Sequence, residues 1–220
     1  MEVNRLTNNL LNYVLNSKAA TSLLEKKGNF VVGDTTGISL LFSAIFTKKP
    51  CKYTIICSNL YNAQRVADLI STLIGEQNVL LYPGEDLLRS DLVTSSKEFL
   101  AQRLYVLNEI QNRKEFILVT HTSAVITPIP LPIEFNQHSK TLNVGDRINI
   151  SDLKKLLLES GYTQVNKIDQ SLQFANRGDI FDIFSINYDY PIRIEFFDDE
   201  IESIHFFDIG TQSSKEKINE

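Results

Sequence analysis

The sequence predicts an α/β protein built in two parts, and three observations predict it. Strand-like and helix-like runs alternate through the first half. Three prolines on alternate positions, Pro128, Pro130 and Pro132, then interrupt the pattern. Beyond them the chain turns β-rich and ends in short runs with the strand period of two. Together these imply a mainly parallel sheet with helical crossovers in residues 1–126, a smaller α+β domain with an antiparallel meander in 127–210, and a tail, or the start of a return into the first domain, in 211–220.

Apolar positions Leu10, Leu11, Val14 and Leu15 predict a helix from Leu6 to Lys26, closed by Gly28. A short strand is expected at Asn29–Val32, then a loop containing Gly33 and Gly37, then a helix over Ile38–Thr47. Tyr53–Cys57 reads as a buried strand. Ser58 or Asn59 can cap the helix Leu60–Ile74, where Val66, Leu69, Ile70 and Leu73 recur at helical spacing. Val79–Tyr82 is the next strand, stopped by Pro83-Gly84. A helix over Ser96–Asn112 and a strand over Phe116–Thr120 follow. Thr127–Pro132 can be neither helix interior nor central strand, so an extended connector is expected there. Further on, Asn143–Ile150 and Thr163–Lys167 read as strands around a helix Ser151–Ser160 capped by Ser151 and stopped by Gly161.

The meander runs from Phe174 to Gln212. Its strands are Arg177–Phe184, Ile192–Phe197 and Glu200–Phe207, broken at Asn187–Pro191 and at Asp198-Asp199. In the middle strand Ile192, Ile194 and Phe196 share one face, which suits a core. Arg193, Glu195 and Phe197 share the other. If that second face is solvated, an arginine, a carboxylate and a large aromatic lie in a row on open sheet, and arginine and aromatic side chains are the usual interface anchors. The plainer alternative for Arg193 is a surface pair with a carboxylate across the sheet, and for Phe197 a place in the core. The last ten residues are polar and expected to fray.

The bulk numbers exclude several classes. At 220 residues the chain exceeds one small domain. Its 43 % hydrophobic and 22 % charged residues are those of an ordinary globular protein. A net charge of −5 argues against nucleic-acid binding as its main business. Cys51 and Cys57 match no metal or redox spacing, no signal-peptide pattern opens the sequence, and no apolar run reaches the ~18 residues of a membrane span. A cytoplasmic protein with no membrane partner is expected. His121, His138 and His205 are scattered, so no metal site is expected. Asp179, Asp182, Asp198, Asp199 and Glu200 fall on turns and strand faces and read as a solvated acidic rim.

The loop after the first predicted strand is where a nucleotide-binding α/β domain cradles phosphate, using Gly-x-x-x-x-Gly-Lys-Ser/Thr. Here three residues instead of four separate Gly33 from Gly37, Ile38 and Ser39 follow, and the next lysine is Lys48. The strand ending Val119-Thr120-His121-Thr122 offers no acidic magnesium ligand. A degenerate loop with no cofactor, no catalytic residue and no ATP hydrolysis is the expectation. Weak anion binding through bare amides is the alternative.

The residues Arg177-Gly178-Asp179-Ile180, Pro191 to Ile204, Phe207-Asp208 and Thr211-Gln212-Ser213 resemble the signature shared by UvrB and the UvrB-like N-terminal module of bacterial transcription-repair coupling factors. The Asp208–Ser213 tail, the missing phosphate loop and the short Tyr82–Glu98 segment, which has no room for a long damage-gripping hairpin, favour the coupling factor. The resemblance implies a degenerate P-loop, helicase-like domain (UvrB domain 1A-like), interrupted by a UvrB domain 2-like insertion that docks on UvrA, the damage-recognition ATPase. It implies that this chain is an N-terminal fragment of a DNA-repair protein, whose whole length binds RNA polymerase and translocates on double-stranded DNA with ATP. It also implies that the UvrA-contacting residues are Arg177, Arg193 and Phe197, with Glu195 a further candidate. UvrB has another arginine two residues before Arg177, where this sequence has Ala175. Two other readings stay open: a UvrB-type ATP-dependent damage verifier, and a stand-alone small-ligand domain using the Gly33 loop.

Overall fold

A computed structural model describes residues 2–25, 34–84, 97–137 and 140–219. The expected Asn29–Val32 strand, Gly33 and most of the Tyr82–Glu98 segment lie outside them. The chain divides into two units, one of 1–94 and 106–128, the other of 95–105 and 129–220.

The first unit opens with α1 (Glu2–Leu15) and α2 (Lys18–Leu24) where one helix is expected. Ser17 is the reason: its side chain accepts from the Ala20 N–H at 3.2 Å and starts a new helix. After α3 (Thr35–Lys48) come β1 (Lys52–Cys57), α4 (Leu60–Ile74), β2 (Val79–Leu81), α5 (Lys97–Asn112), β3 (Phe116–His121) and the short α6 (Thr122–Ile126). Asn59 caps α4, accepting from Asn62 N–H at 2.9 Å. The three strands are parallel in the order β1-β3-β2. Val66, Ala67 and Ile70 of α4 and Phe46 of α3 bury one sheet face against Ile55, Ile117 and Val119. The α/β reading of this half therefore stands at the level of a mixed fold with a parallel sheet.

In the second unit the proline segment is not extended to its end, because Pro132 starts α7 (Pro132–Gln137). Proline is at home in a first helical turn, where its missing N–H is not needed. The expected strand Asn143–Ile150 makes only an isolated bridge, Arg147 to Glu200, because Val144-Gly145 turns the chain with Gly145 at φ 90°. The cap of α8 (Ile150–Glu159) is Asn149 and not Ser151; its Oδ1 accepts from the Ser151 N–H at 2.9 Å. Six strands follow in sequence order: β4 (Thr163–Gln164), β5 (Gln173–Arg177), β6 (Ile180–Phe184), β7 (Ile192–Phe197), β8 (Glu200–Phe207) and β9 (Ser214–Ile218). All neighbours from β5 to β9 are antiparallel. The segment expected to fray is thus an edge strand, held by its pairing with β8.

Leu153 and Leu157, one turn apart on α8, pack on the inner sheet face with Phe174, Phe181, Ile194, Phe196, Ile201 and Ile204. The Phe174 and Phe181 rings stack at 5.5 Å. This core contains the inward set expected of β7 and fixes its register, since a slip of one residue would expose Ile194 and Phe196. Among the described residues no helix is long and apolar enough to cross a membrane.

Truncating the core should dominate any loss at the helix cap. Leu153→Ala is expected to cost about 2–5 kcal/mol of unfolding free energy and Asn149→Ala about 1 kcal/mol, both read from urea denaturation.

Candidate docking face on the antiparallel sheet

The candidate site is the sheet face turned away from α8. Antiparallel register stacks its side chains in cross-strand rows. One row is Arg177, Ile180, Glu195 and Ser203; the next is Ala175, Asp182, Arg193 and His205. Phe197 stands two residues beyond Glu195 on β7. Two tight hairpins set this alignment: Gly178 lies at φ 60° between β5 and β6, and Asp198 at φ 60° between β7 and β8. Glycine occupies the left-handed conformation without penalty, and aspartate tolerates it better than most side chains.

The face is not solvated along its whole length. At one end Phe207, Ala175 and Ile168 form a small second core, with Val165 and Phe184 packed against it. The chain between β4 and β5 folds over this end. In the middle row Arg193, expected to stand out in water, keeps only 16 % of its side chain exposed. Its Nε donates to Asp182 Oδ1 at 2.7 Å and its Nη2 to Asp182 Oδ2 at 2.9 Å, a bidentate pair. Nη2 also donates to Gln212 Oε1 at 3.2 Å, and the guanidinium lies 4.4 Å from the Phe207 ring centroid. Hydrogen bonding to Asp182 raises the Arg193 pKa above its ordinary value despite partial desolvation. Asp182, expected in a solvated rim, is instead buried, because it is the counter-charge of Arg193.

The other end is open. Phe197 is 75 % exposed and Ile180 40 %. Arg177 is exposed, its Nη2 donating to the Asn166 carbonyl at 2.7 Å. Glu195 is half-buried, and its Oε2 accepts from Ser203 Oγ at 2.6 Å. Of the other expected rim residues, Asp179 lies in the β5–β6 turn, and Asp198, Asp199 and Glu200 lie at the β7–β8 hairpin, where Arg147 pairs with Glu200 at 2.9 Å and Asp199 at 3.7 Å. The structure thus gathers Arg177, Glu195 and Phe197 at one end of the face and sets Arg193 one row away, already partnered. Ile180 and Gln212 are neighbours of this group that the sequence reading does not place at the site, and Asp182 is one that it reads only as part of a solvated rim.

The described part of the degenerate loop is occupied by the protein's own groups. Gly37 lies in the first turn of α3, and its N–H donates to Asp34 Oδ1 at 2.6 Å. A carboxylate therefore takes one of the amides that a phosphate would need. At the end of β3, His121 is fully buried and its Nε2 accepts from the Gly84 N–H at 2.9 Å. Gly84 packs so closely on Ala124 that a Cβ would lie 2.5 Å from its Cα. Among the described residues no cluster of His, Cys, Asp and Glu could hold a metal ion.

The outer face of this sheet is half covered and half open, with an aromatic and two arginines along it. Residues 141–220, which hold the whole face, match the family model of the UvrB interaction domain. The chain as a whole is similar to transcription-repair-coupling factors. It is 35 % identical over 181 residues to that of Bacillus subtilis, 30 % over 169 residues to that of Staphylococcus aureus strain Mu50, and 29 % over 178 residues to that of Staphylococcus haemolyticus. These matches cover 82 %, 76 % and 80 % of this chain but only 15 %, 14 % and 15 % of the relatives. The resemblance read from the Arg177–Ser213 signature is thereby borne out.

Two measurements test the electrostatics. Arg193→Ala strands a buried carboxylate and should cost about 3 kcal/mol of stability, whereas Asp182→Leu with Arg193→Met, which removes both charges, should stay near the parent in urea denaturation. Asp208 accepts from the Thr211 N–H and Oγ1 at 2.9 and 3.0 Å, and these bonds hold its carboxyl below the ordinary aspartate range. Because the folded pKa is the lower one, its support for the 208–213 turn is full above the unfolded value and is lost as pH falls through the folded value. A carboxyl NMR titration should show Asp208 protonating below free aspartate.

Proposed function

We propose that this chain is a recruitment module of nucleotide excision repair, which docks UvrA through the outer face of the antiparallel sheet and so couples stalled transcription to repair. The observation that carries the reading is Phe197, a large aromatic left mostly in water one pleat beyond the Arg177–Glu195 row, within the segment that matches the UvrB interaction domain. Exposed aromatic and arginine side chains concentrate binding energy at protein interfaces. Arg177, Arg193, Phe197 and Glu195 are the proposed UvrA-contacting residues. The guanidinium groups meet carboxylates on UvrA, and Phe197 fills an apolar pocket.

In this reading 1–126 is a vestigial helicase-like domain of the UvrB 1A type, and 127–210 is a UvrB domain 2-like insertion. The Asp34 carboxylate on the Gly37 amide and the buried His121 support a scaffold without its own ATPase. The chain spans about 15 % of the relatives it matches. RNA polymerase, double-stranded DNA and ATP-driven translocation are therefore proposed for the whole protein, acting in the cytoplasm, and not for these residues.

Purified chain should co-elute with UvrA in size exclusion. Arg177→Ala with Phe197→Ala should weaken the complex by at least roughly 30-fold while leaving the circular dichroism unchanged. Survival of the complex would sink the docking assignment. ATP turnover by the chain alone would instead favour a UvrB-type enzyme.

A further inference from the structure

We infer that Ile180 and Asp182, two of the outward residues of β6 on this face, complete the docking surface: Ile180 as an apolar contact beside Phe197, and Asp182 as the positioning residue that aims Arg193. The inference rests on the reading of the face as the UvrA-docking surface.

For Ile180 the ground is placement. Register sets it directly between Arg177 on β5 and Glu195 on β7. It keeps 40 % exposure, although β6 is an interior strand whose other face is core. Phe197 lies one pleat further along β7, so the sheet offers a branched aliphatic and a ring side by side, with a guanidinium on the flank. A matching surface on UvrA is an apolar side chain or pocket with carboxylates set to either side. Apolar contact of this kind excludes water from the neighbouring charge pairs and strengthens them.

For Asp182 the ground is geometry. Both carboxylate oxygens are spent on the Nε and Nη2 edge of Arg193, Gln212 holds the same Nη2, and the Phe207 ring lies against the guanidinium. These restraints fix the plane of the guanidinium. Among the described residues Arg193 Nη1 makes no protein hydrogen bond, so it is the donor left for a partner. An arginine held in this way loses little rotamer entropy on docking.

The sign of one substitution separates positioning from plain electrostatics. Asp182→Asn removes a negative charge beside Arg193. If Asp182 acts only through its charge, the variant binds an acidic UvrA surface more tightly. If it positions Arg193, docking weakens about tenfold. Isothermal titration of UvrA into the 220-residue chain, its Asp182→Asn, Arg193→Gln and doubly substituted forms, and Ile180→Ser provides the readout. The expected result is a loss for Asp182→Asn that disappears in the Arg193→Gln background, and about a tenfold loss for Ile180→Ser with an unchanged melting temperature. Binding by the parent chain, with Asp182→Asn equal or tighter, or with Ile180→Ser within about twofold, overturns the inference while leaving the docking reading intact. No binding by the parent chain overturns the reading itself. Should Asp182→Asn fail to fold, the exposed Ile180→Ser variant decides alone.

Discussion

Two opposite charges lie side by side under partial cover on the outer face of the antiparallel sheet, and the form of that face depends on them. Arg193 and Asp182 sit on neighbouring strands with side-chain exposures of 16 % and 11 %. Taking either ion out of water alone would cost several kcal/mol, and the attraction repays this only with good geometry and further hydrogen bonds. Both conditions hold: the contact is bidentate, Gln212 satisfies part of the arginine, and Phe207 lies against the guanidinium. The pair therefore ties β6 to β7 and both strands to the 208–213 turn. It also divides the face. On one side of it Phe207, Ala175 and Ile168 close into a small core; on the other Ile180 and Phe197 stay open.

The division matters because an exposed apolar patch needs a stiff base to serve as a docking surface. A flexible strand end would have to be ordered on contact, at a cost set against the interface. Here the open end is flanked by two tight hairpins and backed by the α8 core, with Leu153 and Phe174 on the opposite side of the same strands. The first unit shows the converse. The Asp34 carboxylate caps α3, and His121 is walled in by the Gly84 segment. One of the α3 amides and one nitrogen of His121 are thus engaged by the protein's own groups.

What the sequence disclosed follows from how local each feature is. Alternation in Ile192–Phe197 is a property of one strand, so the inward set was legible. The Asp182–Arg193 contact needs the register of β6 against β7, and the irregular Asn187–Pro191 connection does not specify it. Cover over Phe207 comes from residues 165–168, which carry no periodic signal of their own. The strand Ser214–Ile218 reads Ser-Lys-Glu-Lys-Ile, a composition that suggests a solvated tail. It is a strand because β8 offers it a hydrogen-bonding edge, and its lysines keep that new edge from recruiting further strands. In the first half the break between α1 and α2 was missed because apolar spacing continues across it. The signal was a lone serine whose capping role shows only once Ala20 is seen to donate to it.

The net charge of −5 gives the two arginines on this face a further meaning. Asp198, Asp199 and Glu200 form the hairpin beside Phe197, and Arg147 neutralises only part of that cluster. On the docking reading proposed above, an acidic partner segment would be attracted at Arg177 and Arg193 and repelled one hairpin away. Unlike charges placed next to the attractive ones raise the cost of a misaligned encounter, and this fixes register more than it adds affinity. Affinity then falls to the apolar side chains between the charges, whose burial is insensitive to salt, while rim charges in water are screened within about 10 Å. A surface so arranged tolerates changes in ionic strength and tolerates the loss of its ring poorly.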